Sequence, residues 1–362
     1  MKAQNKFPSK VYFIPAKRED GHEVLTKKAE KIFIQIGLLD QIEKNSFVAL
    51  KIHFGEKGNT GFIKPQWLTN IIGRIKKITP HVFLTDSNTL YVSQRSNSVD
   101  HLRLAWEHGF TQDAIGIPVI IADGLIGQDG DEIQVDLPRV KAAKISSGIL
   151  NSDVLLCLSH FTGHMLTGFG AAIKNLGMGC ASRAGKLEQH SDVHPWVDAK
   201  KCTGCGVCVE YCPEQAIAVE DDKAAIDEKK CIGCGECLVV CTVHAVKFRW
   251  DSDAVRVQEK MSEYACSVFQ HFKAKIGFVN FLLKVTKDCD CMAQDEPAAV
   301  EDIGILGSLD AIALDKASAD LVNSRSGKDL LRFGYNVDWS VQLRHGAQIG
   351  LGNTDYELIE LA

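Results

Sequence analysis

Eight cysteines in two matching patterns are the residues of this chain whose types and spacing are best suited to chemistry. The first pattern is Cys202, Cys205, Cys208 and Cys212, followed by Pro213, and the second, 29 residues later, is Cys231, Cys234, Cys237 and Cys241. Both have the spacing C-x2-C-x2-C-x3-C by which bacterial ferredoxins hold [4Fe-4S] clusters. Because thiolates are soft donors that match iron–sulfide cores, the patterns predict two clusters and the transfer of single electrons.

The fourth ligand of each cluster is expected to come from the other pattern. A helical turn over residues 209–211 would place Cys208 and Cys212 on one face, about 6 Å apart along the axis, so that one helix touches both clusters. Cluster I is therefore assigned to Cys202, Cys205, Cys208 and Cys241, and cluster II to Cys231, Cys234, Cys237 and Cys212. Glycines at matching places between the ligands can adopt positive φ and direct backbone N–H groups at sulfur. They are Gly204, Gly206, Gly233 and Gly235.

Two other uses of clustered cysteines fit the spacing less well. Zinc also binds four cysteines, but its usual signature is two separated C-x-x-C pairs. A disulfide framework needs an oxidising compartment, and residues 1–10 are polar and lack an apolar signal core. Thirteen cysteines without an export signal indicate a cytoplasmic protein, and clusters near solvent indicate a low-oxygen cell, that of an anaerobe.

Composition narrows the class of protein further. With 362 residues, 45% of them hydrophobic, the chain is expected to be soluble and globular, with one large or two ordinary domains. The longest apolar stretch, residues 276–285, is about half of a membrane span and is interpreted as a buried strand. A net charge of −5, without a block of Lys or Arg, argues against nucleic acid and favours soluble redox proteins as partners. The oligomeric state stays open.

Extended and helical patterns alternate on both sides of the cysteine segment. Expected strands are residues 11–14, 47–53, 81–86, 119–123, 153–160, 276–285, 303–306 and 356–361. Expected helices are residues 23–39, 65–78, 99–108, 171–176, 254–272 and 311–322. Strands separated by helices predict βαβ units, and hence an α/β fold with a largely parallel sheet.

The cysteine segment is expected to interrupt this α/β domain. Its two halves align without a gap, which predicts a small α+β ferredoxin-type module with pseudo-twofold symmetry over residues 196–250, with strands at 216–219, 224–227 and 245–248. Strands after residue 250 need a sheet to join, so residues 1–195 and 251–362 are expected to form one discontinuous domain. Compact modules are tolerated as insertions at surface loops.

A second site is expected at the carboxyl ends of the parallel strands, where ligands bind in such sheets. The candidates are His53, Asp86, His160, His164, Asp288, Cys289 and Cys291. The turn at 288–291 offers four metal-capable groups, although two ordinary thiols in a turn explain it equally well. A disulfide between residues two apart is geometrically poor. The Gly-rich loop at 168–170, followed by Lys174, could seat an anion, or could be a simple close-packed turn.

The sequence resembles the family called domain of unknown function 362, often labelled iron–sulfur centre proteins. The resemblance covers nearly the whole chain and rests on residues 51–56 (KIHFGE), 85–91 (TDSNTLY), 118–124 (PVIIADG), 174–179 (KNLGMG), 288–291 (DCDC) and 302–306 (DIGIL). These segments flank the cysteines on both sides, which supports an insertion. Thr242 stands where the family commonly has Pro, which affects only the expected turn geometry. The resemblance implies no settled activity for the α/β part.

These observations favour an iron–sulfur protein in which two clusters relay single electrons to a redox partner or to a site in the α/β domain. One alternative is an oxidoreductase with a second metal or substrate site in the α/β domain. Another is a binding or assembly protein that depends on its clusters.

Overall fold

A computed structural model describes residues 7–190, 194–248 and 253–362 of the chain. The strands are β1 (Ser9–Pro15), β2 (Val48–Ile52), β3 (Val82–Asp86), β4 (Val119–Ile121), β5 (Gly130–Gln134), β6 (Ala142–Ser146), β7 (Val154–His160), β8 (Thr162–His164), β9 (Gly168–Gly170), β10 (Trp196–Val197), β11 (Ile217–Glu220), β12 (Lys223–Ile226), β13 (Val246–Lys247), β14 (Ile276–Leu282), β15 (Gly304–Ser308) and β16 (Tyr356–Glu360). The helices are α1 (Gly21–Gln35), α2 (Thr69–Lys76), α3 (Ser98–Glu107), α4 (Gln112–Ile115), α5 (Ser147–Leu150), α6 (Ala172–Gly177), α7 (Arg183–His190), α8 (Val207–Glu210), α9 (Glu236–Val240), α10 (Ala254–Phe272), α11 (Ala311–Ser326), α12 (Leu330–Phe333) and α13 (Val341–Gln348). Short 3₁₀ helices span Arg18–Asp20, Leu38–Gln41 and Pro65–Leu68.

The centre of the fold is an eight-stranded sheet in the order β16-β1-β15-β14-β7-β2-β3-β4. Only β15 runs antiparallel to its neighbours, so the expected mixed α/β fold with a largely parallel sheet is confirmed. Strands β1 to β7 of this sheet precede the cysteine segment, and β14 to β16 follow it. The sheet therefore draws strands from both sides of that segment.

Alternate residues of the central strands pack into two separate layers. Ala49 and Leu155 face a core shared with α6, α10 and α11, whereas Leu50 and Leu156 face a core shared with α1 and α2. Strands buried on both faces need continuous apolar runs, and β2 and β7 have them. The fold is thus a three-layer arrangement of helices, sheet and helices. No helix in the described ranges is long and apolar enough to cross a bilayer.

The order of the strands creates a switch point between β2 and β7. The chain runs outward from β2 to β3 and β4, then returns to β7 on the other side of β2. At such a point the connections leave in opposite directions, which opens a crevice at the carboxyl ends of the strands. His53 follows β2 there, and β7 ends at His160.

Residues 195–248 repeat one hydrogen-bond pattern twice. The backbone N–H of Asp198 donates to the carbonyl oxygen of Ala245 at 2.8 Å, and that of Asp227 donates to Ala216 at 2.7 Å. Helices α8 and α9 both begin after a glycine in the left-handed region, Gly206 and Gly235, with φ of 78° and 77°. In each bond a residue before one cysteine pattern donates to a residue that follows the last cysteine of a pattern, so the local geometry repeats with the duplication in the sequence.

Most expected elements occur within a few residues of their predicted bounds, with a few exceptions. The expected helix at 65–78 begins as a 3₁₀ turn and becomes α-helical only at Thr69. The hairpin β5–β6 was not predicted, because β5 is polar and largely exposed and shows no apolar alternation. Helices α7 and α13 were also missed. The expected module boundary at 250–251 lies outside the described residues.

Candidate functional site

The eight patterned cysteines line two cavities, four at each. One cavity is lined by Cys202, Cys205, Cys208 and Cys241. The other is lined by Cys212, Cys231, Cys234 and Cys237. We call them cavity I and cavity II. Each holds three cysteines of one pattern and the last cysteine of the other, and α8 contributes Cys208 to cavity I just before Cys212 reaches cavity II.

Backbone N–H groups point at cysteine sulfur in both cavities. Cys212 accepts from the N–H of Ala216 at 3.2 Å, and Cys241 accepts from that of Ala245 at 3.1 Å. Cys202 accepts from Ala224 at 3.3 Å and from Gly204 at 3.5 Å, and these two bonds lower the pKa of its thiol. Such donors stabilise thiolates, the form in which cysteine binds metal.

The four glycines expected near the ligands all have positive φ. The values are 68° for Gly204, 78° for Gly206, 66° for Gly233 and 77° for Gly235. A Cβ at Gly204 would lie 2.6 Å from the carbonyl oxygen of Asp222, so no side chain fits there without movement. The shortest N–H bonds to sulfur nevertheless come from alanines rather than glycines. The sequence carried no signal for them, because they depend on how β11 to β13 fold back.

A buried ion pair joins cavity II to the large sheet domain. The guanidinium of Arg183, at the start of α7, donates from Nη1 to both carboxylate oxygens of Glu236 at 3.1 Å, and their side chains are 0% and 1% exposed. Arg183 also donates to the carbonyl oxygens of Ser96 at 2.6 Å and Thr89 at 3.4 Å. Because Glu236 lines cavity II, one side chain ties that cavity to the loop after β3.

The Asp288–Cys291 turn carries a pair of thiols beside a lysine. Lys174, on α6, donates from Nζ to Cys289 Sγ at 3.0 Å, and Cys291 follows two residues later in the same turn. The S–H of Cys291, followed by the ammonium of Lys174, outweighs burial and holds the pKa of Cys289 well below its usual range. The pKa of Cys291 is raised, because it is the donor of this pair and because it is buried. The arrangement favours a thiolate at Cys289.

The side chain of Lys174 packs against Gly170, where the missing Cβ leaves room for it to extend toward Cys289. A Cβ on Gly170 would lie 2.8 Å from Cδ of Lys174 and would block its path toward Cys289. The N–H groups at the start of α6 are occupied by the protein itself, because Ala172 and Ile173 donate to the carboxylate of Asp315 at 3.0 and 2.8 Å. These two N–H groups are therefore not free for an external anion, which favours the close-packed turn over the anion site.

A histidine–carboxylate pair stands next to the thiols. His160 Nδ1 lies 2.6 Å from Asp290 Oδ2, and His160 Nε2 lies 2.7 Å from the carbonyl oxygen of Leu283. Burial lowers the pKa of His160, but the charge and hydrogen bond of Asp290 outweigh it and raise the pKa. Asp290 Oδ1 and His53 Nε2 are buried and have no hydrogen-bond partner. Polar atoms left in this state are costly unless a water or ligand meets them.

Asp86 belongs to the same edge of the sheet, within a network of buried charges. Lys51 Nζ lies 2.7 Å from Asp86 Oδ1, and His101 Nε2 lies 3.7 Å from Asp86 Oδ2. Burial raises the pKa of Asp86, but the ammonium of Lys51 outweighs it, so the pKa falls below its usual range. Desolvation lowers the pKa of His101 to about 3 and favours its neutral ring. The charges of Asp86 and Asp290 both act on His53 and raise its pKa, although burial outweighs them and lowers it overall.

Two expected site residues lie at the margin of this cluster. His164 Nδ1 accepts from the backbone N–H groups of Leu166 and Thr167 at 3.2 and 3.3 Å, so its role is local turn geometry. The carboxylate of Asp288 accepts from the hydroxyl of Tyr335. His53, Asp86, His160, Cys289 and Cys291 therefore share the carboxyl edge of the sheet with Asp290, while His164 and Asp288 do not join them.

Two residues missed from the sequence hold the thiol turn in place. Tyr91 donates from its hydroxyl to the carbonyl oxygen of Cys291 at 3.3 Å, and Arg95 Nη2 donates to the hydroxyl of Tyr91 at 2.8 Å. Arg95 also pairs with Glu56 at 3.1 Å, with both side chains 4% exposed. The sequence offered only a lone Arg in a polar loop, and its burial is visible only in the structure.

A site for a single metal ion and a site for a four-iron cluster need different arrangements of ligands. In the parts of the chain that the structure describes, no group of three or more His, Cys, Asp or Glu side chains is arranged to hold a metal ion. A single ion needs its ligands around one point. A four-iron cluster takes one thiolate at each iron, so its ligands stand further apart, as around a cavity. The two four-cysteine cavities match the second requirement in donor type and number.

Comparison with known proteins places the chain within a family. A family model described as Domain of unknown function (DUF362) matches residues 48–320. No curated protein matches. The lactate racemase apoprotein from Thermoanaerobacterium thermosaccharolyticum is 13% identical, with a TM-score of 0.38 over 75% of this chain and 50% of that one. A protein of known crystal structure from Thermotoga maritima is 7% identical, with a TM-score of 0.45 over 85% of this chain and 59% of that one. The chain thus spans half to three fifths of their lengths.

Proposed function

The chain belongs to the DUF362 family, and we propose that this member is an iron–sulfur electron-transfer protein that binds two [4Fe-4S] clusters. The observation that carries the proposal is the division of the eight cysteines into two cavities, four by four, in the crosswise pairing expected from their spacing. When bound, each cluster would accept and release one electron at a time.

The proposed ligands of cluster I are Cys202, Cys205, Cys208 and Cys241, and those of cluster II are Cys212, Cys231, Cys234 and Cys237. The residues around the cavities suit this role. N–H groups of Ala216, Ala224 and Ala245 stabilise ligand thiolates, and hydrogen bonds to sulfur are one of the ways in which a protein tunes cluster potential. Glycines with positive φ let the chain turn between ligands.

The surroundings of the two cavities support a direction for the electrons. Cys205 at cavity I is exposed, whereas Gly235 and Glu236 at cavity II pack against the sheet domain through Arg183. A redox protein would therefore dock at cavity I, and the sheet domain would communicate with cavity II. A reducing compartment, the cytoplasm, would keep the proposed ligand cysteines available as thiolates.

Iron and sulfide analysis of protein purified without air tests the proposal. We expect about eight iron and eight sulfide per chain, reduced reversibly by dithionite. Cys205→Ala should lose the cluster of cavity I and keep the paramagnetic signal of the other, and Cys234→Ala should do the reverse. Cys266→Ala is the matched control, because its thiol is buried in α10 and lines neither cavity, so it should keep the full iron content.

Two results would count against the proposal. A folded, iron-free protein would refute it altogether. Stoichiometric zinc in place of iron and sulfide would replace electron transfer with a structural role. If Cys205→Ala removed the signal now assigned to cavity II, electron transfer would stand but the ligand assignment would be wrong.

A further inference from the structure

Two neighbouring residues in the loop after β3 contact both cysteine-rich regions. Leu90 is 2% exposed and packs in the core of the cysteine segment, where a Cβ on Gly235 would lie 3.4 Å from its Cδ1. Tyr91, the next residue, donates from its hydroxyl to the carbonyl oxygen of Cys291. The dipeptide Leu90–Tyr91 therefore bridges cavity II and the thiols of Cys289 and Cys291.

A second chain of contacts follows the same path. Arg183 joins Glu236 of cavity II to the carbonyl oxygen of Thr89, and the N–H of Thr89 donates to the carbonyl oxygen of Arg95 at 2.9 Å. Arg95 then donates to the hydroxyl of Tyr91. Bonded groups connect the two regions without an intervening solvent gap.

The thiol pair has the features of a dithiol rather than of a metal site. Its two cysteines lie two residues apart in one turn, and the group that donates to Cys289 Sγ at 3.0 Å is the ammonium of Lys174, a cation that a metal would have to displace. Cys289 and Cys291 are both partly exposed. Asp290 between them bonds His160 instead of turning toward the sulfurs.

We propose that Cys289 and Cys291 form a redox-active dithiol that takes electrons from cavity II and reduces small-molecule disulfides. This inference rests on the proposed function, which supplies the electrons. Two one-electron sites deliver the two electrons that one disulfide bond requires. Partial burial of both cysteines favours a small disulfide over one in a protein.

The proposed reaction is a thiol–disulfide exchange carried out by Cys289 and Cys291. The Cys289 thiolate attacks one sulfur of the substrate, RSSR; the S–S bond breaks, a bond between Cys289 and substrate sulfur forms, and RS⁻ leaves. The Cys291 sulfur, after losing its proton, attacks Cys289 Sγ and releases the second RS⁻, and both products take up protons. Two electrons and two protons then return the Cys289–Cys291 disulfide to thiols. The ammonium of Lys174 stabilises Cys289 whenever it is a thiolate.

The short spacing of the two cysteines fits this role. A disulfide between residues two apart departs from relaxed geometry, and strain makes a disulfide easier to reduce. Strained and accessible disulfides are the labile, catalytic ones, whereas structural disulfides resist reduction. The spacing that argues against a structural disulfide therefore favours a transient one.

Peptide mapping of the cluster-loaded full chain tests the inference. Trypsin releases residues 288–316 as one peptide, whose only cysteines are Cys289 and Cys291. After treatment with hydroxyethyl disulfide without air and alkylation by N-ethylmaleimide, we expect this peptide to be unalkylated and lighter by two hydrogen atoms than its reduced form. Dithionite should then restore two alkylatable thiols in the wild type and in Cys266→Ala, but far more slowly in Cys234→Ala, which lacks the cluster at cavity II.

The outcomes separate this inference from the proposed function. If iron is retained but the peptide stays doubly alkylated after oxidation, the dithiol inference is overturned and electron transfer stands. If Cys234→Ala recovers its thiols as fast as the wild type, the route through cavity II is wrong. An additional metal ion, lost in the double variant Cys289→Ala/Cys291→Ala, would also overturn the inference. A wild-type chain without iron would overturn the proposed function itself.

Discussion

Replacing Lys174 by methionine should shift the pH at which Cys289 becomes reactive. Only the thiolate reacts with an alkylating reagent, so a lowered pKa extends the reactive range of Cys289 to lower pH. Lys174 donates to this sulfur at 3.0 Å. A hydrogen bond to a charged group contributes about 1.5–3 kcal/mol, and about 1.4 kcal/mol corresponds to one pKa unit, so the midpoint should rise by about 1–2 pH units.

The assay follows alkylation by iodoacetamide as a function of pH, read from Cys289 within the tryptic peptide that carries it. That peptide is residues 288–316, or residues 285–316 in Lys287→Met, which lacks the cleavage site after residue 287. Lys174→Arg keeps the positive charge and should keep the low midpoint. Lys287→Met is the matched control, because the ammonium of Lys287 lies 4.7 Å from the ring centre of Tyr335 rather than against sulfur. A Lys174→Met protein with the wild-type profile and full iron content would show that the lysine does not stabilise the thiolate.

Two further predictions concern stability. Arg183→Met should lower the free energy of unfolding by about 3–5 kcal/mol, because it leaves the buried carboxylate of Glu236 without its partner. Lys141→Met removes an exposed pair and should change stability by less than about 0.5 kcal/mol; equal effects in urea denaturation would contradict the buried pair. Gly177→Ala should destabilise by about 1–3 kcal/mol, since its Cβ would lie 2.2 Å from a carbonyl oxygen of α10. Gly73→Ala, in open space on α2, should instead stabilise by up to about 1 kcal/mol, and a loss of melting temperature in Gly73→Ala as large as in Gly177→Ala would refute the packing difference.

Local patterns were sufficient to predict most elements of the sheet. Strands such as β2 and β7 are short apolar runs between turn residues, and this signal lies within the strand itself. The same reasoning failed for β5, whose exposed polar residues form a strand only because β6 pairs with it. Where burial by a partner decides the conformation, the residues of the element alone do not predict it.

The Gly-rich loop shows how a distant residue changes the meaning of a local motif. A turn before α6 with free N–H groups would suit an anion. Asp315, 143 residues away from Ala172, fills that position with its own carboxylate. The loop sequence cannot reveal this, because it depends on α11 packing beside α6.

Local sequence features predicted the eight proposed cluster ligands and their crosswise pairing, because ligand spacing over a few residues and an ungapped duplication are local properties. They also indicated a largely parallel sheet. Only the tertiary structure placed Lys174 against Cys289, which lies 115 residues away, and put Leu90 and Tyr91 between cavity II and the thiol pair. Those contacts depend on the order of strands in the sheet, and strand order is set by the packing of the whole chain rather than by the residues of any one segment.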